Sequence, residues 1–347
     1  MPSKQDIRKQ LINFIVAPVC FFSLSIMNAH ATEQLEVPIG IAPTMSSVGV
    51  FIAKEKGYFA EQGIKPVINP FKASGAKMVP FLASGQLFVA GGNINAGMYN
   101  AVSHDIPIKI VADKGTVSPG HGYLALIVRK DHVDSGRYKS YKDLKGMTMA
   151  VTAKGVSQEI VTEMYLQKVG LTLKDIKLIT LGYSDINIAM ANKSIDASIQ
   201  IEPFVAAAVK NDFAVRVAGD DEIYPNQQSA VIFMSPMFME KHPKEAQGWV
   251  TAYIKGLRDY NDAYEKGKNK NEIIKILTKY TRIKDASVYE KAFPVGLHPE
   301  GDLNVNSLKD DAKWFYEHGY VKKLPDIDKI VDLSLVEKAR EILGPYK

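Results

Sequence analysis

Residues 147–181 read MTMAVTAKGVSQEIVTEMYLQKVGLTLKDIKLITL: an apolar run, a polar loop, a helical pattern and a second apolar run. Between the two runs, apolar residues recur every three or four positions from Ile160 to Val169, and Gly170 follows where a helix takes a left-handed cap. The spacing predicts a βαβ unit. Its right-handed crossover makes the two strands parallel.

A similar unit lies nearer the amino terminus, in residues 35–70. Residues 35–42 are predicted to form the strand and residues 47–62 one continuous helix that Gly63 ends. In both units the helix finishes with an aromatic residue, a polar stretch and a glycine. Two units of the same build predict two similarly constructed lobes.

The first residues are typical of a secretory signal peptide. Three basic residues among the first nine precede an apolar stretch over residues 11–27, and Ala29-His30-Ala31 gives a small-x-small cleavage site. The alternative, a retained membrane anchor, needs about 20 apolar residues, and Pro18 interrupts this stretch. We therefore expect residues 1–31 to be cleaved as a signal peptide.

Composition limits the classes of function. Cys20 is the one cysteine and lies in the predicted signal, so the mature chain has no thiol for a disulfide and relies on burial for stability. A chain of 347 residues that is 46% hydrophobic can bury enough surface for two domains. The formal net charge of +5 is too small to indicate nucleic-acid binding.

The predicted binding chemistry lies where strands lead into helices, because ligands of open α/β sheets bind at the carboxyl ends of the strands. Each helix start offers unpaired N–H groups and roughly half a positive charge. Several such starts that converge would bind an oxyanion. Five loops have this form, and they comprise residues 44–47, 74–76, 93–96, 154–158 and 183–186.

Several short segments, taken in order, carry a family resemblance. They are Pro43-Thr44-Met45-Ser46, the run AKEKGYFAEQG over residues 53–63, Leu144-Lys145-Gly146, Ile195-Asp196-Ala197, Glu202-Pro203-Phe204 and His242-Pro243. In these segments the chain resembles the substrate-binding component of ABC importers of the sulfonate, taurine, nitrate and thiamine-precursor class. The resemblance covers nearly the whole mature chain.

The resemblance implies an α/β, two-lobed type II periplasmic-binding-protein fold. Each lobe would be a mostly parallel sheet flanked by helices, with the ligand cleft between the lobes. Lobe I would comprise residues 32–124 and 230–347, and lobe II residues 125–229. The implied location is the periplasm, with the chain soluble after signal cleavage.

The resemblance also implies a set of ligand-binding residues, and no catalytic or metal-binding ones. By position they are Met45, Ser46, Ser74, Gly75, Asn93, Asn95, Gly155, Ser157, Tyr183, Asp185, Glu202 and Phe204. Glu202 has an alternative role, as a helix-start carboxylate that repels an anion but is stabilised by the helix dipole. Tyr183, Phe204 and Tyr224 are candidates for stacking on a flat ligand.

The implied function is to capture a small organic anion, a sulfonate or a carboxylate, by hinge closure. The partners would be that ligand, an ABC permease and its ATPase subunit; no cofactor and no nucleic acid are expected, and the protein would be a monomer. One alternative is a binding protein for a pyrimidine or thiamine precursor. A second is an enzyme of pyrimidine-precursor synthesis, which would need a cysteine-rich motif and clustered histidines that the sequence lacks.

Overall fold

The computed structural model describes residues 33–71, 75–104 and 106–347. The predicted signal peptide lies outside the described residues, as does Ser74. Within the described ranges, no helix combines the length and the apolar character that a membrane crossing requires.

The first sheet has five strands in the order β2-β1-β3-β10-β4. The central strands are apolar and buried, as expected of strands covered on both faces. Strands β2 and β3 run parallel to β1, whereas β10 is antiparallel to both β3 and β4. The strands are β1 (Leu35–Ile41), β2 (Ile64–Pro70), β3 (Val89–Asn93), β4 (Lys109–Thr116) and β10 (Gln228–Met234).

The second sheet repeats this plan in the order β7-β6-β8-β5-β9. Strands β7 and β8 run parallel to β6, and β5 is antiparallel to both β8 and β9. The βαβ unit predicted over residues 147–181 is therefore confirmed. The strands are β5 (Ala125–Arg129), β6 (Thr148–Val151), β7 (Lys177–Thr180), β8 (Ala197–Gln200) and β9 (Ala214–Gly219).

Helices flank both sheets, and six of the α-helices in the described residues follow β10, the last strand of the first sheet. Short 3₁₀ helices, among them Met45–Ser47 and Gly75–Met78, occur in the connections. The α-helices are α1 (Val48–Glu55), α2 (Tyr58–Glu61), α3 (Val79–Ala83), α4 (Ala96–Ser103), α5 (Lys130–Asp134), α6 (Ser157–Gln167), α7 (Tyr183–Ala191), α8 (Phe204–Lys210), α9 (Pro236–Lys241), α10 (Pro243–Glu265), α11 (Lys270–Tyr280), α12 (Ala286–Lys291), α13 (Val305–Glu317) and α14 (Ser334–Leu343).

Two sequence-based helix predictions need correction. The single helix predicted over residues 47–62 is broken into α1 and α2, because Gly57 between them takes a left-handed backbone conformation with φ +76°. The helix start expected at Glu202 lies at Phe204 instead, and the Glu202–Pro203 peptide is cis.

The long helix α10 packs its aromatic stripe into the first lobe. Trp249, Tyr253 and Tyr260 recur at spacings of four and seven residues, which predicts one apolar face of a helix, and all three are buried. At Gly256 the helix comes so close to α1 that a Cβ atom would lie 2.2 Å from the carbonyl oxygen of Gly49. Glycine is therefore required for this helix contact.

Candidate ligand-binding site

A buried group of polar side chains lies where the two lobes meet. All of its members are at least 95% buried. We call this group the polar cluster, and it consists of Thr44, Ser46, Asn93, Lys114, Tyr123, Ser157 and Tyr183. It takes residues from loops and strands of the first sheet and from helix starts of the second.

Lys114 is the cation of the cluster. It lies on β4, and its Nζ donates a hydrogen bond to Ser46 Oγ over 2.8 Å. The aliphatic stem crosses Gly91 of β3, where a Cβ atom would lie 2.7 Å from Lys114 Cδ. Burial lowers the pKa of Lys114 to about 7, although the neighbouring carboxylate of Asp113 opposes the shift. A bound anion would restore the charge.

Asn93 connects the two lobes at the end of β3. Its Oδ1 accepts hydrogen bonds from Tyr123 Oη over 3.1 Å and from Tyr183 Oη over 3.4 Å. Its Nδ2 donates to Ser157 Oγ over 3.4 Å. Tyr183 and Ser157 open α7 and α6 beside the second sheet, so one amide group contacts hydroxyls from both sides of the cleft.

Backbone hydrogen bonds also cross the boundary next to the cluster. Ala96 N donates to Gly155 O over 2.8 Å, and Ser157 N donates to Ile94 O over 3.1 Å. Asn95 is fully buried and caps α4, because its side chain accepts from Met98 N. At these two predicted helix starts, the N–H groups therefore donate to the opposite lobe.

A small cavity of about 70 Å³ adjoins the polar cluster. Thr44 and Tyr183 belong both to the cluster and to the cavity wall. In the described part of the chain, the backbone N–H groups of Tyr183, Ser184 and Asp185 at the start of α7 have no hydrogen-bond acceptor. The lining residues are Pro43, Thr44, Gly182, Tyr183, Ser184, Asp185, Phe204 and Arg282.

The cavity combines an aromatic wall with a basic rim. The rings of Tyr183 and Phe204 stack with centroids 6.0 Å apart and an interplanar angle of 13°. Arg282 comes from the loop between α11 and α12, and its guanidinium has no ion-pair or hydrogen-bond partner among the residues that the structure describes. Asp185, one of the predicted residues, is exposed at the rim.

Glu202 is occupied by main-chain contacts. Its Oε2 accepts a hydrogen bond from Ala206 N over 3.0 Å, and its Oε1 accepts from Phe293 N over 3.1 Å. Burial raises the pKa of the Glu202 carboxyl to about 7. This geometry favours the helix-start role over direct contact with an anionic ligand.

The remaining predicted residues lie outside the cluster. Met45 is fully buried, and its N–H donates to the carbonyl oxygen of Glu202. Gly155 has a left-handed backbone with φ +66°. Gly75 begins a 3₁₀ helix. The hydroxyl of Tyr224 donates to Asp311 Oδ1, and Tyr224 is not part of the cavity wall.

Seven residues of the cluster and cavity were not among the predicted site residues: Pro43, Thr44, Lys114, Tyr123, Gly182, Ser184 and Arg282. Lys114 had a signal in the sequence, because an Asp-Lys pair interrupts the apolar strand KIVADKGT just before its end. Thr44 and Ser184 lie within two of the five strand-to-helix segments predicted to bind a ligand, whereas Tyr123 and Arg282 lie outside those segments. The described residues contain no group of three or more His, Cys, Asp or Glu side chains that could hold a metal ion.

Comparison with known proteins assigns the family. The sequence over residues 30–278 matches the NMT1-like family. The chain belongs to this family. The nitrate/nitrite binding protein NrtA of Nostoc sp. is 22% identical over 322 residues, which are 88% of this chain and 71% of NrtA. The bicarbonate-binding protein CmpA of Synechococcus elongatus is 22% identical over 72% of this chain and 58% of CmpA. These relatives of the NMT1-like protein are of the sulfonate and nitrate class of substrate-binding proteins that its sequence motifs predicted.

Solved structures share the fold. The alkanesulfonate-binding protein SsuA from Xanthomonas axonopodis pv. citri, bound to MOPS, superimposes with a TM-score of 0.71 at 18% identity, over 87% of this chain and 99% of SsuA. The desulfurization enzyme DSZB superimposes with a TM-score of 0.62 at 12% identity, over 89% of this chain and all of that enzyme. The predicted two-lobed periplasmic-binding fold is confirmed, and this fold occurs in both binding proteins and enzymes.

Proposed function

We propose that this protein is the extracytoplasmic substrate-binding component of an ABC importer and that it captures a small organic anion, a sulfonate or a carboxylate. The observation that carries the proposal is Lys114. It is a buried lysine at the lobe boundary, and within the described chain Ser46 is the one hydrogen-bond partner of its ammonium. An amine buried in this way costs free energy unless an anion compensates it.

The surrounding groups fit an oxyanion. Hydroxyls of Ser46, Tyr123 and Tyr183 and the side-chain amide of Asn93 can donate hydrogen bonds to oxygen atoms that replace their present long contacts of 3.1 to 3.4 Å. The adjoining cavity adds N–H groups at the start of α7, where the helix dipole favours negative charge. These contacts bind and orient a solute. None of them supplies an activated nucleophile, so we propose capture without catalysis.

Closure of the two lobes would bring these groups together. We place the hinge in the two segments that connect the sheets, between β4 and β5 and between β9 and β10. Asp220 joins these segments, since its carboxylate accepts from Tyr123 N and Leu124 N, each over 2.8 Å. The lobes would comprise residues 32–124 with 230–347, and residues 125–229. Hinge closure of this kind converts ligand contacts into a change of shape.

The shape change would be what an ABC permease and its ATPase subunit recognise. We propose that the protein acts as a monomer in the periplasm after removal of residues 1–31. The names of the relatives support the ligand class, because nitrate, bicarbonate and alkanesulfonates are all small oxyanions.

Native mass spectrometry of protein purified without refolding tests the proposal. We expect a one-to-one complex with a small anion, and calorimetric titration with nitrate, bicarbonate, short sulfonates, short carboxylates and a pyrimidine would then define its class. Thermal stability should rise with ligand concentration as ln(1 + [L]/Kd). Absence of both a co-purified ligand and binding to any anion would contradict the proposal. Chemical conversion of the bound molecule would instead identify an enzyme.

A further inference from the structure

A second set of contacts joins the lobes at the carboxyl end of α13, separate from the polar cluster. Trp314 Nε1 donates a hydrogen bond to Glu163 Oε2 over 2.7 Å, and His318 Nε2 lies 3.1 Å from the same oxygen. Glu163 belongs to α6, beside the second sheet, whereas Trp314 is on α13 and packs with the core of the first lobe. We call Glu163, Trp314 and His318 the clasp.

The clasp is organised as a unit. The ring of His318 stacks on the indole of Trp314 with centroids 3.8 Å apart and an interplanar angle of 16°. His318 Nδ1 lies 2.8 Å from the carbonyl oxygen of Trp314, and Nε2 faces a carboxylate. Each ring nitrogen of His318 therefore faces an oxygen atom that can accept a hydrogen bond. The Glu163 side chain is 11% exposed and that of His318 is 30% exposed, which limits screening by water.

A neighbouring contact ties the same surfaces together. Burial and the nearby carboxyl of Glu159, one helical turn before Glu163, raise the pKa of the Tyr320 hydroxyl to about 12. Glu159 Oε2 also accepts from Gly155 N over 2.7 Å. A Cβ atom at Gly155 would lie 3.3 Å from the Tyr320 ring, so this loop packs directly on the segment that follows α13.

The clasp acts on the helix that carries part of the ligand site. Helix α6 begins at Ser157, whose N–H donates to Ile94 O and whose Oγ accepts from Asn93 Nδ2. An α-helix is a stiff element, so Glu163, less than two turns away, holds this end of α6 against β3. No atom of the clasp is needed to contact the ligand.

We propose that Glu163, Trp314 and His318 are positioning residues of the binding site, which stabilise the closed arrangement of the lobes and thereby slow ligand release. This inference rests on the proposed function for its effect on ligand binding. Its effect on closure is independent of any ligand.

Hydrogen exchange of the free protein provides the ligand-independent test. The N–H groups of Ala96 and Ser157 donate across the lobe boundary, so their protection reports the closed population. In Glu163→Gln we expect their exchange to accelerate about tenfold, because a charge-assisted contact is lost. Trp314→Phe, which keeps a ring for stacking but has no N–H, should accelerate exchange less. Glu317→Gln, an exposed change on the same helix, is the matched control and should leave exchange unchanged.

Binding kinetics with whichever anion the wild-type protein binds supply the second test. Dissociation should be about tenfold faster in Glu163→Gln while association changes little, since the clasp forms as the lobes close. His318→Gln added to Glu163→Gln should cause no further loss, because the pair acts as a unit. Unchanged exchange at Ala96 and Ser157 would overturn the inference, as would unchanged dissociation. If the wild type bound no anion but the amides of Ala96 and Ser157 still exchanged faster in Glu163→Gln, the proposed function would be wrong. The inference that the clasp stabilises the closed lobes would still hold.

Discussion

The turns that follow the central strands of the two sheets are built alike but used differently. Strands β3 and β8 both occupy the third position of five, and each leads through a short turn into a helix. In both turns a polar side chain caps that helix. Asn95 Oδ1 accepts from Met98 N over 2.9 Å, and Glu202 Oε2 accepts from Ala206 N over 3.0 Å.

The two turns differ in the last residue of the strand. Asn93 directs its amide across the cleft towards Tyr123, Ser157 and Tyr183. Gln200 instead stays within its own lobe, where its Nε2 donates to Tyr183 O and its Oε1 accepts from Ile201 N. We therefore expect the turn of the first lobe to contact the ligand and the turn of the second lobe to support its own lobe.

The largest expected effect concerns the cations on the two corresponding edge strands, β4 and β9. Arg216 on β9 already contacts Asp221 and the Phe293 ring, whereas Lys114 on β4 has no carboxylate partner among the described residues and can bind an anion. Lys114→Met should weaken anion binding roughly hundredfold or more, since it removes the buried cation. Thermal stability should not fall, because methionine has a similar length and needs no compensating charge. Calorimetric titration and thermal unfolding measure the two effects.

Lys109→Met is the control for that comparison. It removes the same charge from the same strand, where Lys109 Nζ donates to the carbonyl oxygen of Lys329 on the surface. Its affinity should equal that of the wild type. Equal losses in both variants would show that net charge, and not the buried site, attracts the ligand.

The next largest effect distinguishes the two capping residues, because Glu202 titrates and Asn95 does not. Burial raises the pKa of Glu202 from 4.5 to about 7. The native state therefore holds this proton more tightly than the unfolded state, so Glu202 makes wild-type stability fall as the pH rises from 4.5 to about 7. Glu202→Gln should lack this fall.

The measurement is urea unfolding of both proteins across that range. The free energy of unfolding of Glu202→Gln, relative to that of the wild type, should increase by about 2–3 kcal/mol between pH 4.5 and pH 7. A difference that stays constant with pH would mean that Glu202 has the same pKa in the folded and unfolded states, which would contradict the effect of burial on this carboxyl.

The smallest effect compares the two strand ends directly. Asn93→Leu should weaken anion binding about tenfold with little change in stability, because its partners are hydroxyls that water can reach when the lobes open. Gln200→Leu should cost about 1–2 kcal/mol of stability and change affinity little, because it leaves buried main-chain groups unpaired. Titration and urea unfolding of both variants test this. The reversed pattern would refute the division of roles.

The sequence predicted the sheets better than the site, for a physical reason. Apolar runs and helix-ending glycines act locally, so the βαβ units around Gly63 and Gly170 could be read directly. Even in the first of these units, the sequence predicts one continuous helix over residues 47–62, whereas Gly57 divides it into α1 and α2. The site depends on contacts between distant segments: Lys114 reaches Ser46 across Gly91 of another strand, and no local pattern encodes that path.

The same reason explains which predicted site residues joined the cluster. Asn93 ends a strand, and Ser46, Ser157 and Tyr183 follow strand ends, where the topology of the fold brings loops together. Glu202 follows a strand end as well, but its carboxylate already accepts hydrogen bonds from Ala206 N and Phe293 N. Position along the chain locates the edge of the sheet, whereas the direction of a side chain depends on the packed neighbours.

Proton uptake on ligand binding tests the central claim most directly. Burial sets the pKa of Lys114 at about 7, so the amine is largely neutral at pH 8 and a bound anion should recharge it. Titration calorimetry at pH 8 in buffers of different ionisation enthalpy should show uptake of about one proton by the wild type. Lys114→Met, titrated at concentrations high enough to saturate it, should take up none. Binding heat that is independent of the buffer in the wild type would contradict the claim that Lys114 holds the anion.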